Sequence, residues 1–149
     1  MTVLTIYKPL AKGKTFPPIE LTDINGEKFN LDNFKEQTIV INWWAVWCAP
    51  CRKEIPGLNK LVNKYSNRNV RFISITDDSI EKVSHFLGNN EFKYDITFVS
   101  KNSRILFGNS YPKNIVINNN KTITLYKEGG NENIWQEIDQ HLSKLNNGK

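Results

Sequence analysis

Residues 39–51 read IVINWWAVWCAPC and contain the only two cysteines of the chain, Cys48 and Cys51. The apolar residues before the cysteines predict a buried strand, and residues 52–65 predict a helix. A Cys-x-x-Cys pair at a strand-to-helix junction places the first sulfur at a helix N-terminus. There, unpaired backbone N–H groups and the positive end of the helix dipole favour a thiolate. Two thiols one helical turn apart can also close into a disulfide, so the pattern predicts dithiol–disulfide exchange.

Two other interpretations of the cysteine pair are weaker. A permanent disulfide across two intervening residues closes a small loop and constrains the unfolded chain little. A zinc site needs about two further ligands, and the two histidines, His85 and His141, lack the spacing of a ligand pair. We expect both histidines to be packing or solvent residues. We expect no metal, and no cofactor beyond a redox-active Cys48–Cys51 disulfide.

Length, composition and charge fit one soluble globular domain over residues 1–149, with its core at about 13–145. The lysines are spread along the chain without a basic block, so the net charge of +5 predicts a mildly basic surface and no nucleic-acid partner. No apolar run approaches the roughly 18 residues of a membrane span. The first nine residues lack the pattern of a signal peptide. The chain is therefore cytosolic, or its targeting segment has been removed.

The order of predicted elements is a hairpin, then β-α-β-α, then a second hairpin and a closing helix. The first hairpin turns at Asn25-Gly26, where both residues tolerate a positive φ. Further strands are predicted at 38–44, 70–75, 96–99, 113–117 and 122–126, and helices at 52–65, 80–87 and 132–145. The parallel β-α-β unit and the terminal hairpin predict an α/β fold with a mixed central sheet flanked by helices on both faces.

The stretch around the cysteines, extended through residue 56, resembles the thioredoxin superfamily. More narrowly, it is similar to the TlpA/ResA/DsbE-like branch of bacterial thiol–disulfide oxidoreductases. The segment LTDINGEK, residues 21–28, is similar to the N-terminal extension of that branch. The resemblance covers residues 13–145 and implies a thioredoxin-like fold with an N-terminal β-hairpin extension.

By this resemblance, Cys48 is the attacking cysteine and Cys51 the resolving one. The residues themselves support the same order, because Cys51 is predicted one turn inside the helix, where burial raises the pKa of a thiol. An unperturbed thiol with a pKa near 8.5 is only about 3% thiolate at pH 7. A lowered pKa at the helix start therefore makes more of Cys48 reactive.

Asn42 stands six residues before Cys48, where thioredoxin has a buried aspartate that relays a proton to the resolving thiol. Asparagine does not titrate. In several members of the similar branch, a glutamate three residues after the second cysteine lies near the active site, and Glu54 holds that position here. We expect Glu54 to tune the dithiol or to relay its protons. The alternative is a solvated helix carboxylate.

The resemblance implies substrate contacts by Trp47, Ala49, Pro50, Tyr111 and Pro112. Strong oxidants of the superfamily tend to carry histidine at the place of Pro50, so this proline favours a reductant or an intermediate potential. Pro112 is the candidate for the family's cis-proline, which exposes the backbone of the preceding residue for strand-like pairing with a substrate chain. An ordinary trans proline is the alternative. Tyr111 is bulkier than is usual at its position and is expected to narrow the substrate cleft.

The leading prediction is a monomeric thiol–disulfide oxidoreductase of the cell envelope or periplasm. Its partners would be a protein disulfide substrate and a thiol electron donor. A general cytosolic thioredoxin is the first alternative, disfavoured by Asn42 and the N-terminal hairpin. A non-catalytic thioredoxin-like binding module is disfavoured because both cysteines are present. A peroxiredoxin is disfavoured because Val46-Trp47 precede Cys48 in place of a Thr-x-x-Cys context.

Overall fold

The apolar run after residue 38 forms an interior strand of a mixed β-sheet. The computed structural model describes residues 9–34, 36–66 and 68–147. Over these residues the strands are β1 (Glu20–Asp23), β2 (Lys28–Asn30), β3 (Thr38–Trp43), β4 (Val70–Thr76), β5 (Asp95–Val99), β6 (Lys113–Ile117) and β7 (Ile123–Glu128). The helices are α1 (Ala49–Lys64), α2 (Ile80–Leu87) and α3 (Ile134–Asn147). The described strands form one sheet in the order β2-β1-β5-β4-β3-β6-β7, in which β3, β4 and β5 are parallel and β6 is antiparallel to β3.

The two faces of the sheet are covered differently. Val40 of β3 packs in a core cluster with buried residues of all three helices. Ile39 and Ile41 pack on the opposite face, against residues 10–19 and the short 3₁₀ turns Leu31–Asn33 and Ser103–Leu106. The prediction of α-helices on both faces is therefore corrected. The right-handed crossovers through α1 and α2 proceed in the same direction across the sheet, so both helices lie on one face.

The predicted hairpins are confirmed. β1 pairs with β2 around Gly26, which has a φ of +86°, and the other edge of β1 pairs with β5. The weakly patterned region 89–110 contributes β5, which is parallel to β4, and the 3₁₀ turn Ser103–Leu106. β6 and β7 form the second hairpin. The strand β3 lies between β4 and β6, and its carboxyl end leads directly to the cysteines.

Helix α1 begins three residues earlier than the sequence predicts. Cys48 acts as its N-cap, and Pro50 falls in the first turn, where no backbone N–H is needed. The helix continues through Pro56 to Lys64. Gly57 lies buried against α3, where a Cβ would overlap the ring of Trp135. The glycine therefore permits the close crossing of α1 and α3.

The segment between β7 and α3 returns the chain to the start of α1. Helix α3 runs two residues later than predicted, and its buried side chains Ile138 and Leu142 pack on the same face of the sheet as α1. The preceding residues, 129–133, are thus brought beside the cysteines.

None of the helices in the described ranges combines the length and the apolar composition that a membrane crossing requires. The longest of them, α1, has 16 residues, against about 20 for a typical span. Residues 1–8, where the sequence shows no signal-peptide pattern, lie outside the described residues.

Candidate active site

The two cysteines lie where β3 leads into α1, and they are joined by a disulfide. Cys48 is the N-cap of α1, and its Sγ accepts a hydrogen bond from the backbone N–H of Cys51 at 3.2 Å. Orphan N–H groups and the helix dipole stabilise negative charge at this position. Cys48 is 5% exposed and Cys51 is 1% exposed. The arrangement favours Cys48 as the attacking sulfur and Cys51 as the internal, resolving one.

A buried carboxylate lies one helical turn beyond Cys51. Glu54 is fully buried, which excludes the alternative of a solvated helix carboxylate. Its Oε1 accepts hydrogen bonds from Nδ2 of Asn114 at 3.1 Å and from Nδ2 of Asn42 at 3.4 Å. Its Oε2 accepts one from the backbone N–H of Asn131 at 3.2 Å. Asn42 also donates to Oδ1 of Asn114 at 3.0 Å. Glu54 therefore joins α1 to β3, β6 and the segment before α3.

Burial raises the pKa of Glu54 from 4.5 to about 7, because desolvation disfavours the charged carboxylate. The hydrogen bonds from Asn114, Asn131 and Asn42 lower the pKa but do not cancel the effect of burial. A carboxyl group that titrates near neutral pH can hold or release a proton under physiological conditions. The site therefore combines a dithiol with a proton-exchanging group one turn away.

The Tyr111–Pro112 peptide bond is cis. The carbonyl of Pro112 accepts a hydrogen bond from the backbone N–H of Gly129 at 3.0 Å. The next residue, Gly130, packs on Pro50 so closely that a Cβ would overlap the proline ring. The segment before α3 thus contacts both the cis-proline and the Cys-x-x-Cys pair.

The residues that the sequence assigns to substrate contact lie close together, four of them at least partly exposed. Trp47, Ala49 and Pro50 are exposed, and Trp47 is 63% exposed. The ring of Trp47 meets the half-buried ring of Tyr111 edge-on, with 5.0 Å between centroids. Pro112, the residue after Tyr111, is buried, and residues 129–130 link it to Pro50. The structure therefore brings these five residues together around the disulfide.

Sequence reasoning missed the side chains that hold the turn before Cys48. The Oδ2 atom of Asp78 accepts a hydrogen bond from the backbone N–H of Val46 at 2.8 Å. Arg52 donates through Nη1 to the carbonyl of Val46 at 2.7 Å. Ser79, the residue after Asp78, is the N-cap of α2. The available signal was a pair of acidic residues at the carboxyl end of a parallel strand, the edge where α/β proteins place their sites.

Asn114 and Asn131 were also missed as partners of Glu54. Asn114 is a fully buried amide directly before three apolar residues of the strand Lys113–Ile117, and such a polar residue is a readable sign of a buried network. Asn131 contributes a backbone N–H, for which no residue type is a signal.

Within the residues that the structure describes, neither His85 nor His141 forms a hydrogen bond with a cysteine or with Glu54. His85 lines an open groove of about 510 Å³ between α2 and Val46. Nε2 of His141 lies 2.8 Å from Oγ1 of Thr124. Within the described ranges, no three His, Cys, Asp or Glu side chains gather as a metal site.

Known proteins share both the sequence pattern and the fold. Over 139 residues the chain is 27% identical to the thiol–disulfide oxidoreductase ResA of Bacillus thuringiensis subsp. konkukian, which covers 89% of this chain and 78% of the relative. A Chlorobium tepidum structure assigned as the thiol:disulfide interchange protein DsbE has a TM-score of 0.80 at 21% identity, covering 91% of this chain and 97% of the other. The exposed lipoprotein thioredoxin of Streptococcus pneumoniae has a TM-score of 0.68 at 18% identity, covering 86% and 99%.

The fold and the cysteine pair define a thioredoxin-like thiol–disulfide oxidoreductase of the TlpA/ResA/DsbE type. The chain belongs to the AhpC/TSA family, whose model matches residues 12–126. The matched range includes the hairpin β1–β2, the disulfide, Glu54 and β6, so the resemblance seen in the sequence is confirmed.

The raised pKa of Glu54 predicts a particular dependence of stability on pH. Below about pH 4.5 the carboxyl is protonated in both the folded and the unfolded protein. Between about 4.5 and 7 it stays protonated only when folded. The stability from this group is therefore full below pH 4.5 and is lost as the pH rises through about 7, a change of about 3 kcal/mol. Urea unfolding of the oxidised protein at several pH values measures it.

Glu54→Gln should remove this part of the pH dependence, whereas Glu132→Gln, at an exposed position, should not. The comparison uses the slope of the free energy of unfolding against pH. The glutamine amide can place an N–H group against the N–H of Asn131, and that contact lowers stability equally at every pH. Equal slopes for wild type and Glu54→Gln would show that Glu54 does not titrate in this range.

Proposed function

We propose that the protein reduces disulfides of protein substrates in the cell envelope, with Cys48 as nucleophile and Cys51 as resolving thiol. The observation that carries the proposal is the cysteine pair at the N-cap of α1, beside an exposed surface and in front of a buried, titratable Glu54. Each part supplies one requirement of the reaction: a stabilised thiolate, a place for substrate, and a proton acceptor.

The reaction begins with the reduced dithiol. The Cys48 thiolate, favoured by the N-terminus of α1, attacks one sulfur of the substrate disulfide. A Cys48–substrate disulfide forms, the substrate S–S bond breaks, and the departing sulfur leaves as a thiolate that takes up a proton. Trp47, Ala49 and Pro50 adjoin Cys48 in the chain and are exposed, so we expect them to contact the substrate chain first.

The second step needs a proton acceptor inside the protein. Cys51 must lose its proton before it attacks the Cys48 sulfur, and its side chain is almost fully buried from water. Glu54 lies three residues further along α1, a spacing that places both side chains on the same side of the helix. It accepts the proton, and the Cys51 thiolate then forms the intramolecular disulfide and releases the second substrate thiolate. In total, two electrons pass from the dithiol to the substrate. The Cys51 proton passes from Glu54 to solvent, and each substrate thiolate takes up a proton from solvent.

The substrate chain is held by the surface that continues from Trp47 to the cis bond. We place an extended substrate segment along Tyr111, whose backbone pairs with it as in strand addition. Pro112 is held from behind by the hydrogen bond to Gly129. The substrate is therefore a polypeptide disulfide that can adopt an extended conformation.

Two features support the direction of transfer. The negative charge of an ionised Glu54 near the cysteine pair disfavours a thiolate there. The reduced form is therefore not strongly stabilised as a thiolate, which is characteristic of reductants. Pro50 stands where strong oxidants of the superfamily tend to carry histidine. The ResA relative and the exposed lipoprotein thioredoxin support a place in the envelope, where a thiol donor would re-reduce the pair and the protein would act as a monomer.

The roles of the two cysteines predict different defects. Cys48→Ser should abolish the reduction of insulin, because no thiolate remains at the helix N-cap. Cys51→Ser should also abolish turnover, but it should accumulate one covalent adduct per protein through Cys48, because the mixed disulfide cannot be resolved. Turbidity measures the first result, and mass spectrometry of the acid-quenched protein measures the second.

An adduct on Cys51 in the Cys48→Ser protein, formed as fast as the adduct on Cys48 in the Cys51→Ser protein, would contradict the assignment. Wild-type protein without cysteine-dependent reduction of insulin would leave the alternative of a non-catalytic thioredoxin-like binding module.

The role of Glu54 predicts a slower second step. In a single-turnover reaction with a peptide disulfide, Glu54→Gln should resolve the mixed disulfide at least about tenfold more slowly at pH 8. The rate for wild type should rise with pH through an inflection near 7, which the variant lacks, because only the ionised carboxylate accepts the proton. Acid quenching between pH 5.5 and 8.5 measures both quantities, with Glu132→Gln as the control. Unchanged rates and an unchanged pH profile in Glu54→Gln would refute the role.

A further inference from the structure

A column of aromatic rings leads from the core to the dithiol. Phe107 stacks on Trp43 with 4.5 Å between ring centroids, and Trp43 stacks on Tyr111 at 5.0 Å. Tyr111 in turn meets Trp47 edge-on at 5.0 Å, with 75° between the ring planes. The first two rings are fully buried, whereas Trp47 is exposed and directly precedes Cys48. The orientation of the exposed indole is therefore linked to the core through Tyr111.

The polar end of Tyr111 is held by an ion pair. Its hydroxyl donates a hydrogen bond to Oδ1 of Asp77 at 3.1 Å. Nε of Arg104 lies 2.7 Å from Oδ2 of the same carboxylate, and Nη2 of Arg104 lies 3.5 Å from the tyrosine hydroxyl. Nη2 also donates to Oδ1 of Asn109 at 3.1 Å. Partial burial of Tyr111 raises its pKa, so the hydroxyl keeps the proton that it donates to Asp77.

Residues close in sequence to Asp77 and Arg104 also hold the surface formed by Trp47 and Tyr111. Asp78, next to Asp77, binds the backbone N–H of Val46, the residue before Trp47. Phe107, at the base of the aromatic column, follows the 3₁₀ turn that carries Arg104. Consecutive aspartates at the end of β4 thus hold the backbone before Trp47 and the hydroxyl of Tyr111.

We propose that Arg104 and Asp77 are positioning residues that fix Tyr111 against Trp47, and that this fixed pair selects protein disulfides with an apolar side chain beside the attacked cysteine. The inference rests on the proposed reduction of protein disulfides and adds a substrate preference to it. An apolar side chain gains free energy when it covers the two rings. A polar one loses hydration there without a replacement hydrogen bond. A fixed surface makes the difference larger, because binding does not first have to order it.

The test compares two synthetic peptides, each closed by one disulfide and identical except for leucine or serine on both sides of one cysteine. We expect the reduced wild-type protein to prefer the leucine peptide roughly tenfold in kcat/KM. Arg104→Ala should lower this ratio to about twofold, mainly through KM, because Tyr111 and Trp47 are no longer held. Tyr111→Phe, which keeps the ring but loses the hydroxyl, should lower it in the same way without a change of charge, and it carries the test if Arg104→Ala does not fold.

Arg71→Ala is the matched control. Arg71 also pairs with an aspartate, Asp95, at 2.9 Å and lies over an aromatic ring, Phe34, but it stands at the opposite end of β4 from the dithiol. This variant should keep the wild-type ratio. An unchanged ratio in Arg104→Ala or Tyr111→Phe would overturn the proposal. So would an equal loss for both peptides, which would indicate a merely structural role. Failure of the wild-type protein to reduce either peptide would refute the proposed function itself.

Discussion

The hydrogen-bonded burial of one carboxylate, that of Glu54, is the constraint on which the site depends. It draws α1, β3, β6 and the segment before α3 to a single point behind the disulfide through Asn42, Asn114 and the N–H of Asn131. A buried carboxylate without partners would be strongly destabilising. Three N–H donors reduce that penalty, and the part that remains appears as a pKa of about 7. The same incomplete compensation leaves a group that exchanges a proton near neutral pH, next to a thiol that water does not reach.

A second set of contacts shapes the exposed side of the cysteines. The carboxylates that follow β4 hold the turn before Cys48 and the ring of Tyr111, while stacking on Trp43 connects that ring to the core. The disulfide therefore lies between a titratable group behind it and a fixed aromatic surface in front of it. Proton transfer is assigned to the first side and substrate choice to the second. Because the two sides use different residues, variants on one side should leave the chemistry of the other side intact.

The sequence predicted those features of the fold and site that depend on a few residues close together in the chain. The cysteine spacing, the Asn25-Gly26 turn and the apolar strand before Cys48 each carry their own signal. The position of Glu54 came from a resemblance, while its burial came only from the structure. The partners of Glu54 and the ion pair of Arg104 with Asp77 join residues that are 12 to 77 positions apart. No spacing rule connects such residues, because the sheet brings them together. The common face of the helices likewise follows from the order of the strands, which the residues alone do not specify.

The reduction potential of the Cys48–Cys51 pair tests most directly the central claim, that this dithiol donates electrons. Equilibration against dithiothreitol or glutathione buffers at pH 7, followed by separation of the oxidised and reduced protein, measures it. An ionisable carboxylate behind the pair and proline at position 50 both oppose strong thiolate stabilisation. The expected value therefore lies near that of thioredoxin, about −270 mV. A value near about −120 mV, where a strongly stabilised reduced form makes an oxidant, would contradict the account.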